Sequence, residues 1–296
     1  MFEQIIGNEK IQELLKNAII NNKASHSYLF IGTEGIGKKL IAQEFSKALL
    51  CLGEAKYCNT CKSCIEFDSQ NNPDFNIIEP DGNSIRIEQI REIQRKVAEK
   101  PIISSKKIYI INNSDKMTTE AQNCLLKTLE EPPEYITIIL IGTNENAFLS
   151  TIKSRCTIIH FQDIPEYRIQ EYLREKEGIE IQDQYILKAF GGSIGKAILL
   201  QDKQEQYTKI RQLLTNLRNM DIIEIFQKSQ ILYDSKEDIT NLLQYINIIL
   251  LELSKHDYRY TNCIKIVENT KKRLQSNANY DMSIDNMLLQ MKEKIK

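Results

Sequence analysis

The chain has 296 residues, of which 42% are hydrophobic and 27% charged, with a formal net charge of −1. That length supports two or three domains with real cores. The charge balance excludes a dedicated nucleic-acid binder carrying a general basic surplus, though not a local basic patch.

No apolar run reaches the roughly 20 residues of a membrane span; the best candidate, Tyr245 to Leu253, is interrupted by Asn247 and Glu252. The N-terminal stretch MFEQIIGNEK lacks the basic-then-apolar layout of a secretory signal. A soluble, cytoplasmic protein with no membrane partner is expected.

Apolar spacing in EKIQELLKNAII predicts an opening helix over 9–20, and SYLFIG (27–32) a strand. The strand runs into GTEGIGKK, which fits G-x-x-x-x-G-K at Gly32, Gly37 and Lys38, with Gly35 an extra glycine. Glycines there let backbone N–H groups curl round phosphate oxygens, and the lysine reaches the outer phosphates. A helix, KKLIAQEFSKALL, follows as that motif requires. One position departs: where a Ser or Thr hydroxyl should ligate Mg²⁺ stands Lys39, which cannot be a ligand.

Next come four cysteines, Cys51, Cys58, Cys61 and Cys64, spaced C-x₆-C-x₂-C-x₂-C. Four thiolates within so short a stretch suit a closed tetrahedral structural Zn²⁺ site. An iron–sulfur run would continue with x₃-C-P, whereas Ile65-Glu66-Phe67-Asp68 follows. The other cysteines, Cys124, Cys156 and Cys263, are scattered and suggest no disulfide framework.

Beyond the cluster, FNIIEP (75–80) reads as a strand and SIRIEQIREIQRKVAEKP (84–101) as a helix ended by Pro101. KIYII (107–111), YITIILIG (135–142) and CTIIHF (156–161) are further strands, with the helix TTEAQNCLLKTLEE between the first two. Near-continuous apolar strands alternating with helices mean a parallel sheet covered on both faces. At the tip of KIYII, where a phosphate-loop enzyme places metal-holding and catalytic acids, stand Asn112 and Asn113. Neutral amides do neither job. The alternative acids, Asp115 or Glu120, require a register shift past the strand end. Arg155, just before CTIIHF, is either a solvated charge or a surface ion pair, or else an arginine finger for a neighbouring subunit.

From Glu166 the signal is helical. A small glycine-punctuated unit precedes longer amphipathic segments broken at DSKED and SNANYD. The stripe Ile239, Leu242, Leu243, Ile246 and Leu250 is expected to serve assembly with other chains, unless it is an ordinary core.

ASHSYLFIGTEGIGKK, the four-cysteine module, KMTTEAQNCLLKTLEEPP and STIKSRC together resemble the clamp-loader branch of the AAA+ ATPases. The resemblance is close over 1–163 and fair beyond. It implies an α/β AAA+ domain over 1–163 with a zinc-binding insertion at about 51–66. A helical lid over 164–204 and an all-α collar domain over 205–296 would follow. Within that branch, Lys39, Asn112 and Asn113 match the non-hydrolysing type rather than the ATP-hydrolysing gamma/tau type. The implied role is that of a DNA polymerase III clamp-loader subunit, part of a DNA-directed DNA polymerase (nucleotidyltransferase) complex. It would assemble with gamma/tau and delta subunits in a hetero-oligomeric ring that loads the sliding clamp on primed DNA. Arg155 would act in trans, with no catalytic residue in cis. Gly32, Gly35, Gly37 and Lys38 would form a degenerate nucleotide site, holding ATP weakly at most and without hydrolysis. Lys196 stands nearest the lid position of a nucleotide-sensing arginine, and Thr143 and Asn144 sit at the sensor-strand tip. Two rivals stay open: an active ATPase of gamma/tau type, and a non-replicative adaptor that inherited the fold.

Overall fold

The computed structural model describes residues 1–296 except Gln4, Gln182 and Asn277, and of Glu237 only the backbone. Asn277, within the expected break SNANYD, thus lies outside the described residues. Among the described residues, no helix is long and apolar enough to cross a membrane.

The chain divides into two compact units, Met1–Ile164 with Gly192–Gly195, and Pro165–Gly191 with Lys196–Lys296. In chain order the first contains α1 (Glu9–Ile20), β1 (Ser27–Ile31), α2 (Lys38–Leu50), α3 (Lys62–Asp68), β2 (Phe75–Ile78) and α4 (Ile87–Val97). β3 (Lys107–Ile111), α5 (Thr119–Glu130), β4 (Ile136–Gly142), α6 (Ser150–Lys153) and β5 (Thr157–His160) complete it.

The five strands form one parallel sheet in the order β2-β3-β4-β1-β5. Every residue of β1, β3 and β4 is buried, as their largely apolar sequences predict, and the polar Ser27, Lys107 and Thr137 are buried with them. The two outer strands are less covered.

Alternation divides the core between the two faces. Tyr28, Phe30, Ile108, Ile110, Ile139 and Ile141 pack with Leu15 and Ile19 of α1 and with Ile41, Ala42 and Phe45 of α2. Leu29, Ile31, Tyr109, Ile111, Ile138 and Leu140 pack with Ile90 and Ile93 of α4 and Leu125 and Leu129 of α5. Because all strands run the same way, residues 32, 79, 112 and 143 follow strand ends on one edge of the sheet. Thr118 caps α5 by accepting from the Ala121 N–H at 3.2 Å.

The second unit is helical: α7 (Glu166–Tyr172), α8 (Gln184–Ala189), α9 (Ile194–Leu200, whose first turn belongs to the first unit), α10 (Gln204–Asn216), α11 (Ile222–Tyr233), α12 (Ile239–Ser254), α13 (Arg259–Gln275) and α14 (Tyr280–Ile295). A capping box starts α11, Asp221 Oδ1 accepting from the Glu224 N–H at 2.8 Å while Glu224 Oε2 accepts from the Asp221 N–H at 3.0 Å.

α12 packs against α8, α10 and α13. Its Leu242, Leu243, Ile246 and Leu250 are buried within this unit, and the rings of Tyr207 and Tyr245 meet at 4.5 Å. The stripe expected to serve assembly is therefore an ordinary core, because three neighbouring helices cover it. Apolar side chains exposed on α11 are Ile222, Ile223 and Phe226.

Candidate functional site

The glycine loop joins the end of β1 to the start of α2, as the motif demands. Gly37 caps α2 with φ +95°, a conformation glycine adopts without a Cβ penalty. The Lys38 ammonium turns back into the loop and donates to the carbonyls of Gly32 at 2.6 Å and Thr33 at 2.7 Å. Burial holds its pKa down at about 8, against the pull of the Asp115, Glu34 and Asp163 carboxylates. Thr33 Oγ1 donates to Asp163 Oδ1 at 2.6 Å, and the Gly195 N–H donates to the Gly35 carbonyl at 3.0 Å.

Beside the loop, Lys39 Nζ lies 2.7 Å from Glu79 Oε1. Asn112 Nδ2 donates to both oxygens of the same carboxylate, at 3.2 and 2.9 Å. Glu79 directly follows β2 and Asn112 directly follows β3, so an ammonium, a carboxylate and an amide close one small network at the sheet edge. An ammonium there repels a divalent cation.

Sequence reasoning missed Glu79. Its signal was present, an acid placed immediately after an apolar strand, but its partner stands 40 residues away.

Asn113 sits in the left-handed region at φ 49°, which Asn tolerates better than most residues. The alternative acids are engaged elsewhere. Asp115 Oδ2 accepts from Thr143 N at 3.0 Å, Thr143 Oγ1 at 2.7 Å and Asn144 N at 3.3 Å, fastening the tip of β4. The Glu120 carboxyl is drawn below its usual range by its own backbone N–H and the Thr118 hydroxyl.

One residue, Cys156, separates Arg155 from β5. The guanidinium is one-third exposed and forms a surface ion pair, with Nη2 2.7 Å from Glu130 Oε1. In the second unit, Lys196 Nζ donates to Gln244 Oε1 at 3.3 Å.

The four cysteines converge as their spacing predicts, with all Sγ atoms within 4.8 Å of one another. Metal–sulfur bonds of ~2.3 Å in a tetrahedron place sulfurs about 3.8 Å apart, so four Cys thiolates here fit Zn²⁺. Cys51 directly follows α2, and Cys61 caps α3, which carries Cys64.

Backbone donors already point at the sulfurs: Gly53 N and Cys58 N to Cys51 Sγ, each at 3.4 Å, and Cys61 N to Cys58 Sγ at 3.3 Å. N–H groups of Thr60 and Cys61 hold the Cys58 thiol down at about 5, whereas burial pushes Cys64 up. A Cβ at Gly53 would lie 3.0 Å from Cys58 Cβ and 3.1 Å from its Sγ, so the tight knuckle leaves little room for a side chain there. These ligands can hold a metal ion and offer no open position for chemistry.

The module is fastened to the phosphate-loop helix. Lys47 of α2 pairs with Asp68 at 2.7 Å and lies over the Tyr57 ring at 5.0 Å, and Tyr57 Oη donates to Glu44.

Set against known proteins, residues 7–165 match the family described as DNA polymerase III, delta subunit. DNA polymerase III subunit delta' of Bacillus subtilis is 30% identical over an alignment covering 96% of each chain. DNA polymerase III subunit tau/gamma of Haemophilus influenzae is 35% identical over 68% of this chain, which spans 30% of that longer protein. Among solved structures, a DNA polymerase III, gamma subunit-related protein of Thermotoga maritima shares the fold, with a TM-score of 0.50 at 19% identity, covering 97% of this chain and 99% of that one.

Proposed function

Because the chain belongs to the clamp-loader family of DNA polymerase III subunits, we propose that it is a non-hydrolysing subunit of delta-prime type that acts on a neighbour's ATP. The observation that carries this reading is the Lys39–Glu79–Asn112 network. Phosphoryl transfer needs a metal to neutralise developing charge and a group to position the attacking water. At this loop the metal's neighbourhood holds an ammonium paired to Glu79, and the expected acids are amides.

Arg155 is the group this chain offers to the reaction, a permanently charged planar fork suited to phosphate oxygens. In trans it would stabilise charge on the γ-phosphate of an adjacent gamma/tau subunit. The other partners proposed are a delta subunit in the same hetero-oligomeric ring, and the sliding clamp and primed DNA through the complex.

Residues 164–204 would serve as the lid and 205–296 as the collar, with the exposed α11 face (Ile222, Ile223, Phe226) turned to a neighbouring subunit. Zn²⁺ at Cys51, Cys58, Cys61 and Cys64 would be structural. Gly32, Gly35, Gly37 and Lys38 would bind ATP weakly if at all, and never turn it over.

The test is ATP turnover by the purified chain with Mg²⁺, followed by gamma/tau with and without it. No turnover alone and stimulation in the complex are expected. Robust hydrolysis by the chain alone would replace this reading with that of a hydrolysing, gamma/tau-type subunit.

A further inference from the structure

Both ends of the Arg155 guanidinium are engaged inside the chain. Nη2 lies 2.7 Å from Glu130 Oε1. Nη1 donates to the Thr151 carbonyl at 2.9 Å and to Ser154 Oγ at 3.3 Å. The two terminal nitrogens are the fork that a guanidinium presents to two phosphate oxygens at once. Here that fork already has acceptors.

Glu130 is the last residue of α5, and its side chain is 48% exposed. The carboxylate is therefore open to solvent and to an approaching subunit.

We propose that Glu130 is a latch, holding the Arg155 fork against its own chain until a neighbouring triphosphate draws it away. This rests on the reading of Arg155 as acting in trans, and adds that engagement is an exchange of partners. A terminal phosphoryl group carries more charge than one carboxylate and offers three equatorial oxygens. It outcompetes Glu130 once it lies within reach. The Thr151 and Ser154 contacts leave Nη1 as a pivot about which the Nη2 end turns. A partly exposed ion pair shifts an equilibrium by roughly 1.4- to 5-fold, so the latch biases the finger without trapping it. Glu130 is in this account a positioning residue, since it acts only through Arg155.

The experiment uses the complex assembled with gamma/tau and delta subunits, carrying this chain as wild type, Glu130→Gln, Arg155→Ala or both. The Gln side chain keeps the shape and an acceptor oxygen and removes the charge. The latch predicts that Glu130→Gln raises ATP turnover at the interface Arg155 serves by about 1.4- to 5-fold, read as a smaller rise in the total, and that the gain vanishes in the Arg155→Ala background. A merely structural pair would not produce that dependence.

If Arg155→Ala lowers turnover while Glu130→Gln lowers it or leaves it unchanged, the latch is wrong and the finger stands. A gain from Glu130→Gln that survives in the Arg155→Ala background also overturns the latch. If Arg155→Ala changes nothing, the finger and the latch fall together.

Discussion

Asp74 offers a quantitative test of how the first unit is held together. Its carboxylate is wholly buried just before β2. Oδ1 accepts from Ile102 N, and Oδ2 accepts from Ile103 N and Ser104 N, each at 2.7 Å. Ser104 Oγ in turn donates to the Leu50 carbonyl at the end of α2 and lies 2.9 Å from Ser63 Oγ in the cysteine module. One carboxylate thus fixes the turn that leads into β3, and through Ser104 it meets both α2 and α3.

Asp74→Asn keeps the shape but replaces one acceptor oxygen with an NH₂ group. At least one N–H is left facing another donor, and the remaining bonds lose their charge. Hydrogen bonds to a charged group contribute about 1.5–3 kcal/mol each, and an orphaned buried donor costs about 1–3 kcal/mol. The expected loss is therefore about 3 kcal/mol. For a unit of this size that corresponds to roughly 6–12 °C in Tm. Thermal and urea denaturation would read the loss, and hydrogen exchange should accelerate first at the amides of Ile102, Ile103 and Ser104. A variant within about 0.5 kcal/mol of wild type, the usual range for surface substitutions, would refute the reasoning.

Elemental analysis of protein prepared without chelator should find one Zn²⁺ per chain, and Cys61→Ser should lose it and loosen the module around α3 while the sheet persists; zinc-free wild type would contradict this. Ile223→Glu, on the exposed face of α11, should change the stability of the isolated chain by less than about 0.5 kcal/mol. In the same variant native mass spectrometry should show weakened assembly with gamma/tau and delta, and unaltered assembly would remove α11 from the interface.

The sheet was legible because its central strands need no partner information. SYLFI, KIYII and ITIILIG are apolar except for Ser27, Lys107 and Thr137, with apolar side chains on both faces, and only burial on both faces accommodates that. The cysteine cluster was legible because ligand spacing is local in sequence. Helix α3 was not, since KSCIEFD has no apolar stripe. Its place is set by Cys61, Cys64 and the hydrogen bonds from Asn72 Nδ2 to Ser63, both at 3.0 Å.

The stripe on α12 shows a different limit. Periodicity says that a face is covered, not whether the chain itself or a partner covers it. Glu79 and Glu130 were missed for a related reason. Each acquires meaning only from a partner distant in sequence, Lys39 in one case and Arg155 in the other.

The central claim is that this chain contributes an arginine to a neighbour's ATP site and no catalytic group in cis. The most direct measurement is steady-state ATP turnover of a gamma/tau–delta complex of verified composition that carries Arg155→Ala in this chain. The account predicts normal folding, zinc content and assembly, with lowered but not abolished turnover, because other sites in the ring stay intact. A finger's removal costs roughly 10³–10⁵-fold at the one interface it serves. Arg155→Lys should rescue poorly, since an ammonium keeps the charge without the planar fork. Turnover equal to wild type in the Arg155→Ala complex would contradict the claim and leave Arg155 as the partner of Glu130 and nothing more.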